Sequence, residues 1–161
     1  MSKDKNWRWF LLSVFIIVAD QLTKHIAAEQ LIPYQPYLVL PMFNLTLAYN
    51  TGAAFSFLSH AGEWHHWFFA SLSFCMSIFF VFWMIRLPPK AYLQLAAISL
   101  ILGGTLGNFY DRIFLGHVID FIQLYYHQYY WPVFNLADSA ICVGALLLLV
   151  DLGIEKKRSV S

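Results

Sequence analysis

The chain has 161 residues, 60% of them hydrophobic and 19% aromatic, with 12% charged and a net charge of +1. A mean hydropathy of +0.59 is outside the range of a soluble domain and points to one integral membrane unit, residues 1–161. Near-neutral charge without a basic patch gives no sign of a nucleic-acid partner, and none is expected.

In chain order, the first predicted element is a span over about 9–28. It is apolar from Trp9 to Ala19 and then carries Asp20 and Lys24. Their i,i+4 spacing puts both on one helix face, where they can pair. A basic start (Lys3, Lys5, Arg8) and the small pair Ala27–Ala28 also fit a cleaved secretory signal, but a continuous helix is the reading preferred here. An outer loop follows over 29–66. Within it, Leu38 to Asn50 is rich in β-formers, with Pro41 suited to a turn or an edge strand. Gly52 to Leu58 reads as a short interfacial helix. Spans two and three cover about 67–85 and 91–112, a second outer loop 113–133, and span four about 134–152. The fold class is therefore an all-α membrane protein. It has four transmembrane helices, a small extracytoplasmic β-sheet and a short interfacial helix.

Lysine and arginine set the orientation. Lys3, Lys5 and Arg8 precede span one, Arg86 and Lys90 separate spans two and three, and Lys156, Lys157 and Arg158 follow span four. The two longer loops hold neither residue, so both termini face the cytoplasm and the long loops face out. Cys75 and Cys142 lie in apolar runs without ligand spacing, and are expected to be small buried residues rather than a disulfide.

The polar groups then sort to the outer end: Asn50, Asn108, Asp111, Arg112, Asp120, Asn135 and Asp138. Ionisable groups at such a depth are functional candidates. Each also has a plainer explanation. Arg112 can anchor span three at the interface, and Asn135 with Asp138 three residues on can form a capping box. Gly103 and Gly107 make a G-x-x-x-G packing pair. Asp120, set among Val118, Ile119, Phe121 and Ile122, has no such local role. Neither H-E-x-x-H nor G-x-S-x-G occurs, and the histidines have no recognisable ligand spacing, so no metal and no other cofactor is expected. Two aspartates at one surface leave aspartic-protease chemistry, in which one carboxyl keeps a proton while the other activates water. A small transporter or assembly factor using interfacial carboxylates is the alternative; it predicts polar groups through the membrane depth.

The blocks "NTGAAF" (Asn50 to Phe55), "GGTLGNFYDR" (Gly103 to Arg112), "VIDFI" (Val118 to Ile122) and "FNLAD" (Phe134 to Asp138), with "DQLTK" from Asp20, resemble those of the bacterial lipoprotein signal peptidases, or signal peptidase II. The resemblance covers almost the whole chain in order. It implies an aspartic endopeptidase of the bacterial inner membrane. Such an enzyme removes signal peptides from prolipoproteins on the amino side of a diacylglyceryl-modified cysteine. It implies Asp120 and Asp138 as the catalytic pair, and Asn50, Gly52, Asn108, Asp111, Arg112 and Asn135 as substrate-binding and supporting residues. Asp20 and Lys24 give structural support. The implied partners are lipidated prolipoproteins and membrane lipid.

Overall fold

The computed structural model describes residues 6–52 and 64–160. Four helices form wherever charge is absent for long enough: α1 (Trp7–Gln30), α2 (Trp64–Arg86), α3 (Tyr92–Leu115) and α4 (Leu136–Val160). All four contain stretches long and apolar enough to cross a membrane, so the chain is a multi-pass membrane protein. Helix α3 is the hub and packs against α1, α2 and α4. Its buried side runs from Leu95 to Asp111, and around it Phe80, Met84, Leu95, Ile98, Ile101 and Leu102 form the apolar core. The outward faces stay apolar, as a lipid solvent demands: Phe15, Leu22, Phe74, Phe82, Leu146 and Leu149 are all exposed.

Cys75 and Cys142 are exposed on this outward surface rather than buried. The reason is the solvent. In a membrane bundle an apolar run marks the lipid face as much as the interior, so hydrophobicity alone does not sort inside from outside. The expected interfacial helix from Gly52 to Leu58 lies, apart from Gly52, outside the described residues.

Between the helix ends lies one antiparallel sheet in the order β1-β2-β3-β4. Strands β1 (Tyr37–Leu40) and β2 (Phe43–Asn50) come from the first long loop, as expected, with Pro41 and Met42 at the turn. The other half was not foreseen. β3 (Val118–Tyr126) and β4 (Tyr129–Tyr130) arise from the second long loop. Asp120 therefore sits on a central strand, opposite Ala48 of β2, and not on a loop. A bulge in β2 between Leu45 and Ala48 shifts the pairing by one residue and brings Asn50 opposite Val118.

Candidate active site

Three elements meet at one end of the bundle. β3 supplies Asp120, the last turns of α3 supply Asn108, Asp111 and Arg112, and the start of α4 supplies Asn135 and Asp138. Helix α1 adds Asp20 and Lys24, and the end of β2 adds Asn50.

The start of α4 is a reciprocal cap. The Asp138 backbone N–H donates to Asn135 Oδ1 (2.9 Å), and the Asn135 N–H donates to Asp138 Oδ2 (3.2 Å). The capping role read from the sequence is therefore real, but it uses only one Asp138 oxygen. The other, Oδ1, accepts from Asn108 Nδ2 at 2.7 Å. Both Asp120 oxygens are also engaged, Oδ1 by Asn135 Nδ2 (2.7 Å) and Oδ2 by Asn50 Nδ2 (3.0 Å). Asn135 thus caps α4 with its oxygen and holds Asp120 with its nitrogen, linking the two acids through a single side chain. Asn50 is fixed in turn by the Gly52 N–H, which donates to its Oδ1 at 2.9 Å. Gly52 takes φ +110°, and a Cβ there would fall 2.7 Å from the Phe69 ring, so only glycine fits.

Beneath the two aspartates lies a buried ion cluster. Lys24 Nζ meets Asp20 Oδ2 at 2.7 Å, as its spacing predicted, and also Asp111 Oδ2 at 2.8 Å and Asn108 Oδ1 at 2.9 Å. Lys24, Asp20 and Asp111 are at most 1% exposed, so such charges are tolerable only when each is fully partnered. Asp20 Oδ1 accepts the Ala137 N–H at 2.9 Å, placing a carboxylate on the positive end of α4. Asp111 Oδ2 accepts the Ile119 N–H at 3.2 Å and so pins β3 beside Asp120. Gln21, which the sequence reading passed over, donates to Asp111 Oδ1 (2.9 Å) and the Gly107 carbonyl (3.2 Å). The signal was present: a glutamine inside a predicted span is itself a costly polar group.

Arg112 is more than an interface anchor. Its Nη1 donates to the Asn108 carbonyl (3.3 Å), its guanidinium lies over the Phe69 ring, and its charge faces Asp138, Asp111 and Asp120. Its Nε is buried and has no partner among the described residues. Also among the described residues, no group of three His, Cys, Asp or Glu side chains is arranged to hold a metal. An apolar hollow of about 360 Å³ by the β3–β4 hairpin, lined by Tyr125, Tyr129, Tyr130 and Trp131 among others, shares no residue with the aspartate cluster.

Burial, and then the neighbouring Asp138 charge, push the Asp120 carboxyl up to about 7. With the folded value raised, the stability this group contributes is full below its unfolded value of about 3.9 and is lost as pH rises through about 7. Thermal unfolding of the wild type between pH 4 and 8 should therefore show a loss of stability relative to Asp120→Asn. Parallel curves for the two proteins would mean that Asp120 ionises freely.

Two carboxylic acids, one buried and one half-open to the surface, joined by asparagines at one end of a helical bundle, are an arrangement suited to a membrane-embedded aspartic peptidase. The comparisons with known proteins agree. The family described as signal peptidase (SPase) II matches residues 12–154. A lipoprotein signal peptidase of Acinetobacter baumannii is 54% identical over 154 residues, covering 95% of this chain and 88% of the relative. Another, from Teredinibacter turnerae, is 45% identical over 144 residues, covering 89% and 86%. A solved bacterial membrane enzyme, determined by the in meso method at 2.3 Å resolution, superposes with a TM-score of 0.81 at 33% identity, covering 94% of this chain and 90% of its own. The chain belongs to the signal peptidase II family, whose activity is the removal of signal peptides from prolipoproteins.

Proposed function

We propose that Asp120 and Asp138 are the catalytic pair of this peptidase, and that it cuts on the amino side of a cysteine carrying a diacylglyceryl group. The observation that carries the pairing is the double use of Asn135. It holds Asp120 with its amide nitrogen while capping the helix turn that presents Asp138. Two carboxyls held this way cannot both ionise cheaply, so the pair keeps one proton. Asp120, buried and raised to about 7, holds it. Asp138, bound by a backbone N–H and an amide at a helix N-terminus, is the carboxylate.

Asp138 takes a proton from a water molecule, whose oxygen attacks the scissile carbonyl. Asp120 gives its proton to the developing oxyanion; as the C–N bond breaks, the departing nitrogen receives the proton that Asp138 gained, and one hydroxyl of the diol returns a proton to Asp120. The products are a new carboxyl terminus on the signal peptide and a free amine on the lipidated cysteine. Arg112, whose buried Nε has no partner among the described residues, offers a donor to a substrate carbonyl. Asn50, Gly52, Asn108, Asp111 and Asn135 hold the pair in place, and Asp20 and Lys24 hold the helix ends beneath it.

The membrane unit is oriented with both termini in the cytoplasm and the site at the outer face. Two features support this. Lysine and arginine avoid both long loops, and residues 31–52 contain no charged side chain at all. The exposed strand β1 and the Tyr126, Tyr129, Tyr130 and Trp131 side chains suit the headgroup boundary, where a lipid-anchored substrate presents its scissile bond. Purified protein should cleave a lipidated prolipoprotein before the cysteine and leave the unlipidated form intact. Equal cleavage of the two would reject lipid recognition. Turnover should also persist in a strong chelator, since no ligand set with metal spacing occurs in the sequence. Loss of activity that zinc restores would overturn the two-carboxyl mechanism.

A further inference from the structure

Three asparagines donate to the two aspartates, and an amide can do that only if it is turned the right way. The partner of each Oδ1 decides the turn. Asn135 Oδ1 accepts the Asp138 N–H, and Asn50 Oδ1 accepts the Gly52 N–H. A backbone N–H is a donor only, so both amides are fixed by the main chain. Asn108 has no such backbone lock. Its Oδ1 receives Lys24 Nζ at 2.9 Å and Asn135 Nδ2 at 3.1 Å, and its Nδ2 is thereby aimed at Asp138 Oδ1, 2.7 Å away. Lys24 is 1% exposed, and its three N–H groups are matched by three acceptors: Asp20, Asp111 and Asn108. An ammonium is a donor only and cannot accept from a flipped amide.

We propose that Lys24 is a positioning residue for cleavage: by occupying Oδ1 of Asn108 it locks that amide as a donor to Asp138. This deepens the catalytic-pair reading and rests on it. Turning Asn108 over would press its NH2 against the ammonium and the Asn135 amide, and its oxygen against the Asp138 carboxylate. Without the Lys24 donor the turned amide meets only the Asn135 NH2, whose two hydrogens have Asp120 Oδ1 (2.7 Å) and the Ile119 carbonyl (3.3 Å) as other acceptors. Its oxygen then accepts a hydrogen bond from the protonated Asp138 carboxyl, which favours that form and takes Asp138 out of its role as base. The charged groups facing Asp138 and its partners are Asp20 and Lys24 on α1, Asp111 and Arg112 on α3, and Asp120 on β3. His117 packs on Tyr49.

Removing Lys24 alone would strand Asp20 and Asp111, so the comparison is made in a balanced background. Lys24→Met with Asp111→Asn removes one positive and one negative charge, leaving the formal cluster charge at −1, as it is with Lys24, Asp20 and Asp111. Lys24→Gln with Asp111→Asn carries the same charge but retains an N–H donor for Asn108. The readout is the pH profile of kcat on a lipidated prolipoprotein. The glutamine pair should keep the wild-type acid limb. The methionine pair should move it to higher pH by about one unit or more, a loss of roughly tenfold in kcat below the limb with KM unchanged. Superimposable limbs for the two pairs overturn the proposal. Should the methionine pair not fold in detergent, Asn108→Ala with Lys24 intact removes the same donor to Asp138. Its limb must then rise, and a wild-type limb overturns the proposal equally. Failure of the catalytic-pair reading is a separate result, visible as turnover by Asp138→Asn at any pH.

Discussion

Asp120→Asn and Asp138→Asn should each lower turnover by at least about 10²- to 10⁴-fold, the usual worth of a general acid or base, while folding and substrate binding persist. Asparagine has nearly the shape of aspartate, so the packing around both sites survives. It cannot take or carry the reacting proton. The structure sharpens the contrast at Asp138, which completes the α4 cap as well as facing Asn108. If capping were its whole role, asparagine would retain an acceptor for the Asn135 N–H, and the cost would be at most about 1 kcal/mol with activity intact. At Asp120 the two amide donors, Asn50 and Asn135, can no longer both find an oxygen. One of them loses its carboxyl partner; Asn135 can turn to the Ile119 carbonyl, whereas Asn50 would be left an unpaired donor. A cleavage assay beside thermal unfolding and substrate binding separates these outcomes. Near-normal cleavage by either variant refutes the shared-proton mechanism.

The helices were legible because length without charge is an unambiguous signal, and the polar cluster because few functions tolerate so many polar groups at one depth. The Asp20–Lys24 pair needed only helical spacing. The sheet was half legible. Leu38 to Asn50 announces itself by β-formers and Pro41, but β3 has mixed alternation and its turn to β4 uses His127–Gln128 in place of a glycine turn, with His127 at φ +53°. Its identity as a strand comes from pairing with β2, some 70 residues earlier, and no local pattern encodes that. For the same reason Asp120 seemed unpartnered in sequence, although Asn50 and Asn135 hold it. Asp20 binding the Ala137 N–H across 117 positions was equally out of reach. Local chemistry picked out the polar groups that come together, whereas the contacts that aim them are long-range and arise only when α1, α3 and α4 close.

Gly104→Ala should cost both stability and activity, although no polar group is touched. A Cβ at position 104 of α3 would run into the Ala137 backbone oxygen of α4 and come within 2.8 Å of Ile141 Cγ1. The first obstacle is helix backbone, so no side-chain rotation relieves it; α4 itself must retreat. Overpacking of this kind costs about 1–3 kcal/mol. The retreat also carries away what the first turn of α4 presents: the Ala137 N–H on Asp20, Asn135 on Asp120, and Asp138 on Asn108. A displacement of about 1 Å at reacting groups can cost about 10²-fold in rate, so kcat should fall further than stability alone explains. Gly153→Ala, also on α4, is the control. A Cβ there meets nothing within 4 Å, and alanine is the better helix former by up to about 1 kcal/mol. Thermal unfolding and cleavage rates of the two variants under one condition decide the matter. If Gly104→Ala behaves like Gly153→Ala, close contact between α3 and α4 is not what holds the aspartates in register.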